Sequence, residues 1–222
     1  MRILFSVITL TVFSLPLAAE NARIAFMKGR VQVTMAGKTT KARIGMTLKE
    51  GATLTTSKKS MVLLALKRGR LKVRANTRLS LARLSGQTDL RVRQGSVFAK
   101  VNKGRRNFNV RTPTVVAGVR GTQFFVAYGD KIKQDTHPES MLCVNEGQVE
   151  VNSIANPEKK VLLNEGEGIV VTPGEGLPTP EKLPWIRKFN WNMDENAGEV
   201  DDQTSLKEAY KSGYDMLDQD YD

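Results

Sequence analysis

The chain has one cysteine and one histidine in 222 residues. With Cys143 alone, no disulfide can form within it, and one Cys plus His137 cannot furnish a zinc site, which takes several such ligands. His137 lies in the polar run Gln134-Asp-Thr-His-Pro138, with no nucleophile motif beside it to make a Ser–His–Asp arrangement. No glycine-rich phosphate loop is present. Carboxylates are scarce in the first half and sit mainly in Glu-Gly turns, which argues against the paired acids of a glycosidase. Aromatic residues are 6% of the chain and rarely interleave with its cations, so stacking on single-stranded nucleic acid has little support. No enzymatic activity, cofactor, metal or nucleic-acid partner is therefore expected. Long apolar runs are also missing after the first nineteen residues.

Those nineteen read as a secretory signal. Met1-Arg2 is a short positive start, and residues 3–15 are apolar except for Ser6, Thr9, Thr11 and Ser14. Pro16 then breaks the helix, and Ala18-Ala19 supplies small residues before Glu20. Cleavage after Ala19 is expected, with an uncleaved anchor as the alternative. No cysteine follows to carry a lipid. Export places the protein in the periplasm or envelope of a Gram-negative bacterium, or outside the cell.

The charge is divided along the chain. Between Arg23 and Arg111 there are 23 Lys and Arg against Glu50 and Asp89, whereas residues 191–222 hold 10 Asp and Glu against Lys207 and Lys211. The first half attracts anions and the end repels them. Arg70, Lys72 and Arg74 alternate with Leu71 and Val73, and Arg91 and Arg93 alternate with Leu90 and Val92. Alternation directs such cations to the sheet face opposite the core. The five form a candidate anion-binding face, or a solvated surface. The acidic end could cover it.

One device recurs: a polar residue and a glycine precede a short run of alternating apolar residues. It appears at Lys28-Gly29, Glu50-Gly51, Gln94-Gly95, Glu146-Gly147 and Glu165-Gly166. Short strands at this spacing predict an all-β sandwich or barrel, with a β-roll or short β-solenoid as the alternative. Strands joined at Arg68-Gly69-Arg70 and Ala75-Asn76-Thr77 are expected within residues 58–83. Residues 176–193 read as a Pro/Gly-rich linker carrying Trp185, Ile186, Phe189 and Trp191, which either dock back on the domain or meet a partner. Residues 194–222 form an acidic tail, with a helix expected over 204–217 and disorder as the alternative.

The densest motif is Val110-Arg-Thr-Pro-Thr-Val-Val-Ala-Gly-Val-Arg-Gly-Thr-Gln-Phe-Phe125. Pro113 holds Thr112 extended, and Gly118 and Gly121 predict sharp turns around Val119-Arg120. An arginine so placed often inserts and binds carbonyls or a carboxylate, so Arg120 is expected to be structural, with a partner contact as the alternative. This segment resembles the signature of the FecR family. Gly95–Val101 and Phe108 are similar to the strands before it, Gly147–Val151 and Glu165-Gly166 to those after it, and Gly29–Val33 to the domain's opening. The likeness covers about residues 23–175, within a FecR-like β domain expected over residues 20–175. It implies a jelly-roll-like β-sandwich outside the cytoplasm, with Arg111, Thr112, Pro113, Gly118, Val119, Arg120, Gly121 and Thr122 as its structural motif. The best-known members signal from an outer-membrane receptor to a sigma factor through a cytoplasmic segment. Only Met1-Arg2 precedes the apolar run here, so that role is not carried over. The expected function is a non-enzymatic periplasmic or envelope module that binds another protein. The alternative is a binder of anionic envelope polymer (peptidoglycan, lipopolysaccharide or lipid headgroups) through the basic face.

Overall fold

A computed structural model describes residues 20–104, 108–129 and 137–211. The segment read as a secretory signal and the end of the acidic tail lie outside these residues. The described chain is all-β, with 17 strands: β1 (Ala22–Lys28), β2 (Val31–Met35), β3 (Lys38–Lys41), β4 (Thr47–Leu48), β5 (Thr53–Thr56), β6 (Met61–Leu66), β7 (Gly69–Val73), β8 (Arg78–Arg83), β9 (Thr88–Val101), β10 (Phe108–Arg111), β11 (Val115–Val119), β12 (Gln123–Tyr128), β13 (Ser140–Glu146), β14 (Val149–Ser153), β15 (Lys160–Leu163), β16 (Glu167–Val171) and β17 (Glu181–Lys182).

They form two sheets. Sheet I runs β4–β1–β6–β7–β9–β12–β13–β16–β17. Sheet II runs β3–β2–β5–β8–β9–β10–β11–β14–β15. Every pairing is antiparallel except β9 with β10. A solenoid coil would stack parallel strands, so this pattern sets aside that alternative and leaves a sandwich of hairpins that alternate between sheets.

β9 belongs to both sheets. Its first half pairs with β8 and β10, and its second half with β7 and β12. The change occurs at Gly95, with φ +81°, where a Cβ would approach Thr77 Oγ1 to 2.3 Å. The expected turn at Gln94-Gly95 is thus a bend inside one 14-residue strand.

Alternation explains the core. Val31, Val33, Leu79, Leu81, Leu90, Val92, Val149 and Val151 of sheet II face Ile24, Leu64, Leu71, Val73, Val97, Phe124 and Val144 of sheet I, all buried in one cluster. Such β-branched and leucine side chains suit a pleated, closed surface. Sheet edges are short or charged: β4 and β17 have two residues each, β3 is Lys-Thr-Thr-Lys, and β15 begins with Lys160. Short, charged edges discourage strand addition.

A second apolar cluster lies on the outside of sheet I. Phe98, Phe125, Met141, Cys143 and Val170 project from the sheet and meet Leu183, Trp185, Ile186, Phe189, Met193, Leu206 and Tyr210. Residues 183–211 therefore make a strap across this face. It includes a 3₁₀ turn at Pro184–Lys188, and residues 206–211 are helical. The segment read as a linker is an ordered layer from Glu181 onward. No described helix is long and apolar enough to cross a membrane.

Candidate functional site

The five cations singled out in the sequence do not share a face. Arg70 and Lys72 stand on β7 and Arg74 directly follows it, all three outside sheet I. Arg91 and Arg93 stand on the first half of β9, outside sheet II. The alternation that directs each set away from the core is the same, but the bend at Gly95 and the alternation of hairpins separate the sheets.

These three cations, Arg70 and Lys72 of β7 and the adjoining Arg74, are covered by the strap. Arg70 Nη1 donates to the carbonyl oxygen of Met193 at 2.8 Å and to Glu195 Oε2 at 3.3 Å. Lys72 is fully buried; its ammonium donates to the carbonyl oxygens of Asn190 and, at 3.0 Å, Asn192, and lies 4.6 Å from the centre of the Phe98 ring. Arg74 donates to the carbonyl oxygens of Thr204 at 2.6 Å and Asp202 at 3.2 Å, and its guanidinium is 3.3 Å from Asp202 Oδ1. Burial lowers the Lys72 pKa from 10.5 to about 8, against the opposing pull of Asp202. Lys28 adds an exposed pair with Asp201 at 2.9 Å.

Aromatic contacts complete this layer. Phe98 lies edge-on to Phe125, Phe189 and Trp191, with ring centres 4.8, 5.4 and 5.0 Å away. Trp191 Nε1 donates to Ile186 O, and Gln123 Nε2 to Trp191 O, each at 2.9 Å. Cys143 is buried here, and desolvation raises its thiol pKa. These are internal contacts: much of sheet I's outer face is covered by its own chain.

Sheet II presents the opposite case. Arg91 and Arg93 are exposed, as is Arg78 on β8. Among the described residues none of the three makes an ion pair or side-chain hydrogen bond. Ser80, Arg91, Arg111, Val116 and Asn152 stand side by side on successive strands. Arg111 Nε donates to both carboxylate oxygens of Asp89 at 3.1 Å. Asn109, Val116, Gly118, Glu150 and Asn152 are among the residues lining a hollow of about 240 Å³. Gly118 and Arg78 were not read from the sequence as part of a surface. Strand alternation outward from Val119 and Leu79 would have found them.

The signature segment divides between these roles. Thr112 is buried; its hydroxyl lies 2.7 Å from that of Ser140 and accepts from the Val115 amide at 3.1 Å. Thr112 N donates to Val115 O at 3.0 Å, closing a turn in which Pro113 loses no needed donor. Val119 belongs to the core, and Thr122 Oγ1 donates to Gln148 O at 2.9 Å. Gly121, at φ +62°, faces Lys103 at the turn between sheets. Two expectations are corrected. Gly118 is inside β11 rather than at a turn. Arg120 is exposed, with no hydrogen bond or ion pair among the described residues, because alternation after buried Val119 turns it outward.

The family model described as FecR protein matches residues 52–150. Two crystal structures of a "putative anti-sigma factor" from Parabacteroides distasonis ATCC 8503 are similar at 19% identity and a TM-score of 0.48, covering 59% of this chain and 59% of that one. The chain thus spans less than two thirds of that protein's length. No curated protein matches it.

Proposed function

We propose, on the premise that this chain carries a FecR domain over residues 52–150, that it is a non-enzymatic module of the bacterial envelope that works by binding another protein. The observation that carries this reading is the unequal treatment of the two outer faces. Sheet I is largely covered by residues 183–211, which satisfy Arg70, Lys72 and Arg74. Sheet II keeps Arg78, Arg91 and Arg93 exposed and unneutralised among the described residues. A chain that covers one face so thoroughly and leaves the other open and charged has a surface suited to something outside itself.

The test is affinity capture of the full exported chain from envelope extract after chemical crosslinking. A stoichiometric protein adduct is expected; recovery of only glycan or lipid would refute the reading. A second reading, binding to anionic envelope polymer, draws on the same free guanidinium groups. It requires affinity that falls steeply with salt, since exposed charges are screened within about 8–10 Å at physiological ionic strength.

A further inference from the structure

Between Glu20 and Glu50 the chain carries Arg23, Lys28, Arg30, Lys38, Lys41, Arg43 and Lys49 and no Asp or Glu. The fold gathers part of this run at one edge of the sandwich. Ala42 N donates to Val31 O at 2.9 Å just after β3, the edge of sheet II, and Ile24 N donates to Met46 O at 3.0 Å just before β4, the edge of sheet I. The crossing between the sheets is a four-residue turn. Met46 N donates to Arg43 O at 3.1 Å to close it, and Gly45 at φ +83° takes its third position. Ile44 is thereby turned outward.

At 61% exposure, Ile44 is the most exposed large apolar side chain among the described residues. A lone exposed isoleucine needs no explanation; the surroundings of this one set it apart. Arg43 precedes it, Lys41 and Lys49 flank the turn, and Arg23 Nη2 lies 3.8 Å from where a Cβ of Gly45 would stand. All four cations are exposed, and among the described residues none makes an ion pair or side-chain hydrogen bond. The neighbouring carboxylates are engaged elsewhere. Glu20 pairs with Lys67 and Arg68, Glu50 accepts from the amides of Leu84 and Ser85, and Asp201 pairs with Lys28, five residues and about 17 Å along β1 from Arg23. We propose that this edge seats the domain on an anionic phospholipid bilayer, with Ile44 entering the headgroup–acyl boundary and Arg23, Lys41, Arg43 and Lys49 on lipid phosphates. An apolar tip ringed by cations suits that boundary twice over, because apolar burial and attraction to anionic lipid add. A protein partner fits this edge less well, since one protruding side chain among lysines and arginines lacks the aromatic anchors and packed centre of a protein interface. The edge is separate from the open face of sheet II, so the inference adds to the protein-binding reading and does not rest on it.

The test is sedimentation of the exported chain with vesicles of phosphatidylglycerol and phosphatidylethanolamine, and with phosphatidylcholine alone, with thermal melting of every variant. Binding is expected to the first and not to the second. Lys41→Gln with Arg43→Gln should weaken it about thirtyfold, and Ile44→Ser about tenfold, at unchanged Tm. Arg91→Gln with Arg93→Gln removes the same charge from sheet II and should weaken it by less than about threefold. An environment-sensitive dye attached to Ile44→Cys should brighten and shift to shorter wavelength on the anionic vesicles, and the same dye on Ile154→Cys should not; Cys143 is buried and takes no label. The proposal is overturned if the sheet II pair loses as much binding as the Lys41 and Arg43 pair, if Ile44→Ser binds as the wild type does, or if the dye at position 44 does not respond. Recovery of no crosslinked protein would overturn the protein-binding reading alone.

Discussion

Lys72 is a cation whose alternation with Leu71 and Val73 was plain in the sequence and whose environment was not. Period-2 patterning sends it away from the core, yet it is fully buried because residues 190–192, more than a hundred positions away, lie over it. Nothing local encodes that contact. The lowered pKa has a definite sign. The folded group titrates near 8 and the unfolded one near 10.5, so the unfolded chain binds more protons between those values. The Lys72 contribution to stability therefore rises as pH goes from about 8 to 10.5, and a neutral amine still has two hydrogens for two carbonyl oxygens. Urea unfolding of wild type and Lys72→Met across this range should show the wild type gaining stability relative to the variant; a flat difference would disprove the assignment. Arg120 teaches the reverse lesson. Two flanking glycines suggested insertion, but the strand continues through Gly118, and parity after Val119 decides the direction instead.

The strap is the element that changes the reading of the chain. Charge division along the sequence indicated that an acidic end could meet a basic first half. Arg70 with Glu195, Arg74 with Asp202 and Lys28 with Asp201 are such meetings. The hydrophobic part of the contact was less legible, because Phe98, Phe125, Met141 and Cys143 read simply as strand residues with no indication of which side they served. Two-sided burial of central strands is visible only once sheet I is known to carry a third layer. Exposed ion pairs contribute roughly 0–1 kcal/mol each, whereas removing a buried aromatic costs about 3–5 kcal/mol, so the aromatic cluster holds the strap and the charges set its register. Deleting residues 183–222 should expose Phe98, Phe125 and Val170, increase binding of a hydrophobic dye and lower Tm by several degrees or more. An unchanged melting profile would contradict a stabilising role for the strap.

At the scale of the whole molecule, the repeated polar-glycine device foretold the all-β class and most strand boundaries, because each left-handed glycine opens a hairpin or bend. It did not foretell the division into two sheets. That division comes from long-range pairing through β9 and parts Arg70, Lys72 and Arg74 from Arg91 and Arg93. The result is a sandwich with one face largely covered by the strap and one face open. Placing a photo-crosslinking side chain at Asn109 on sheet II, and separately at Asn196 on the strap, tests this directly in the intact envelope. The account predicts a discrete protein adduct from position 109, lost on Arg91→Glu with Arg93→Glu, and none from position 196. Adducts from the strap with none from sheet II, or only lipid and glycan adducts from position 109, would contradict it.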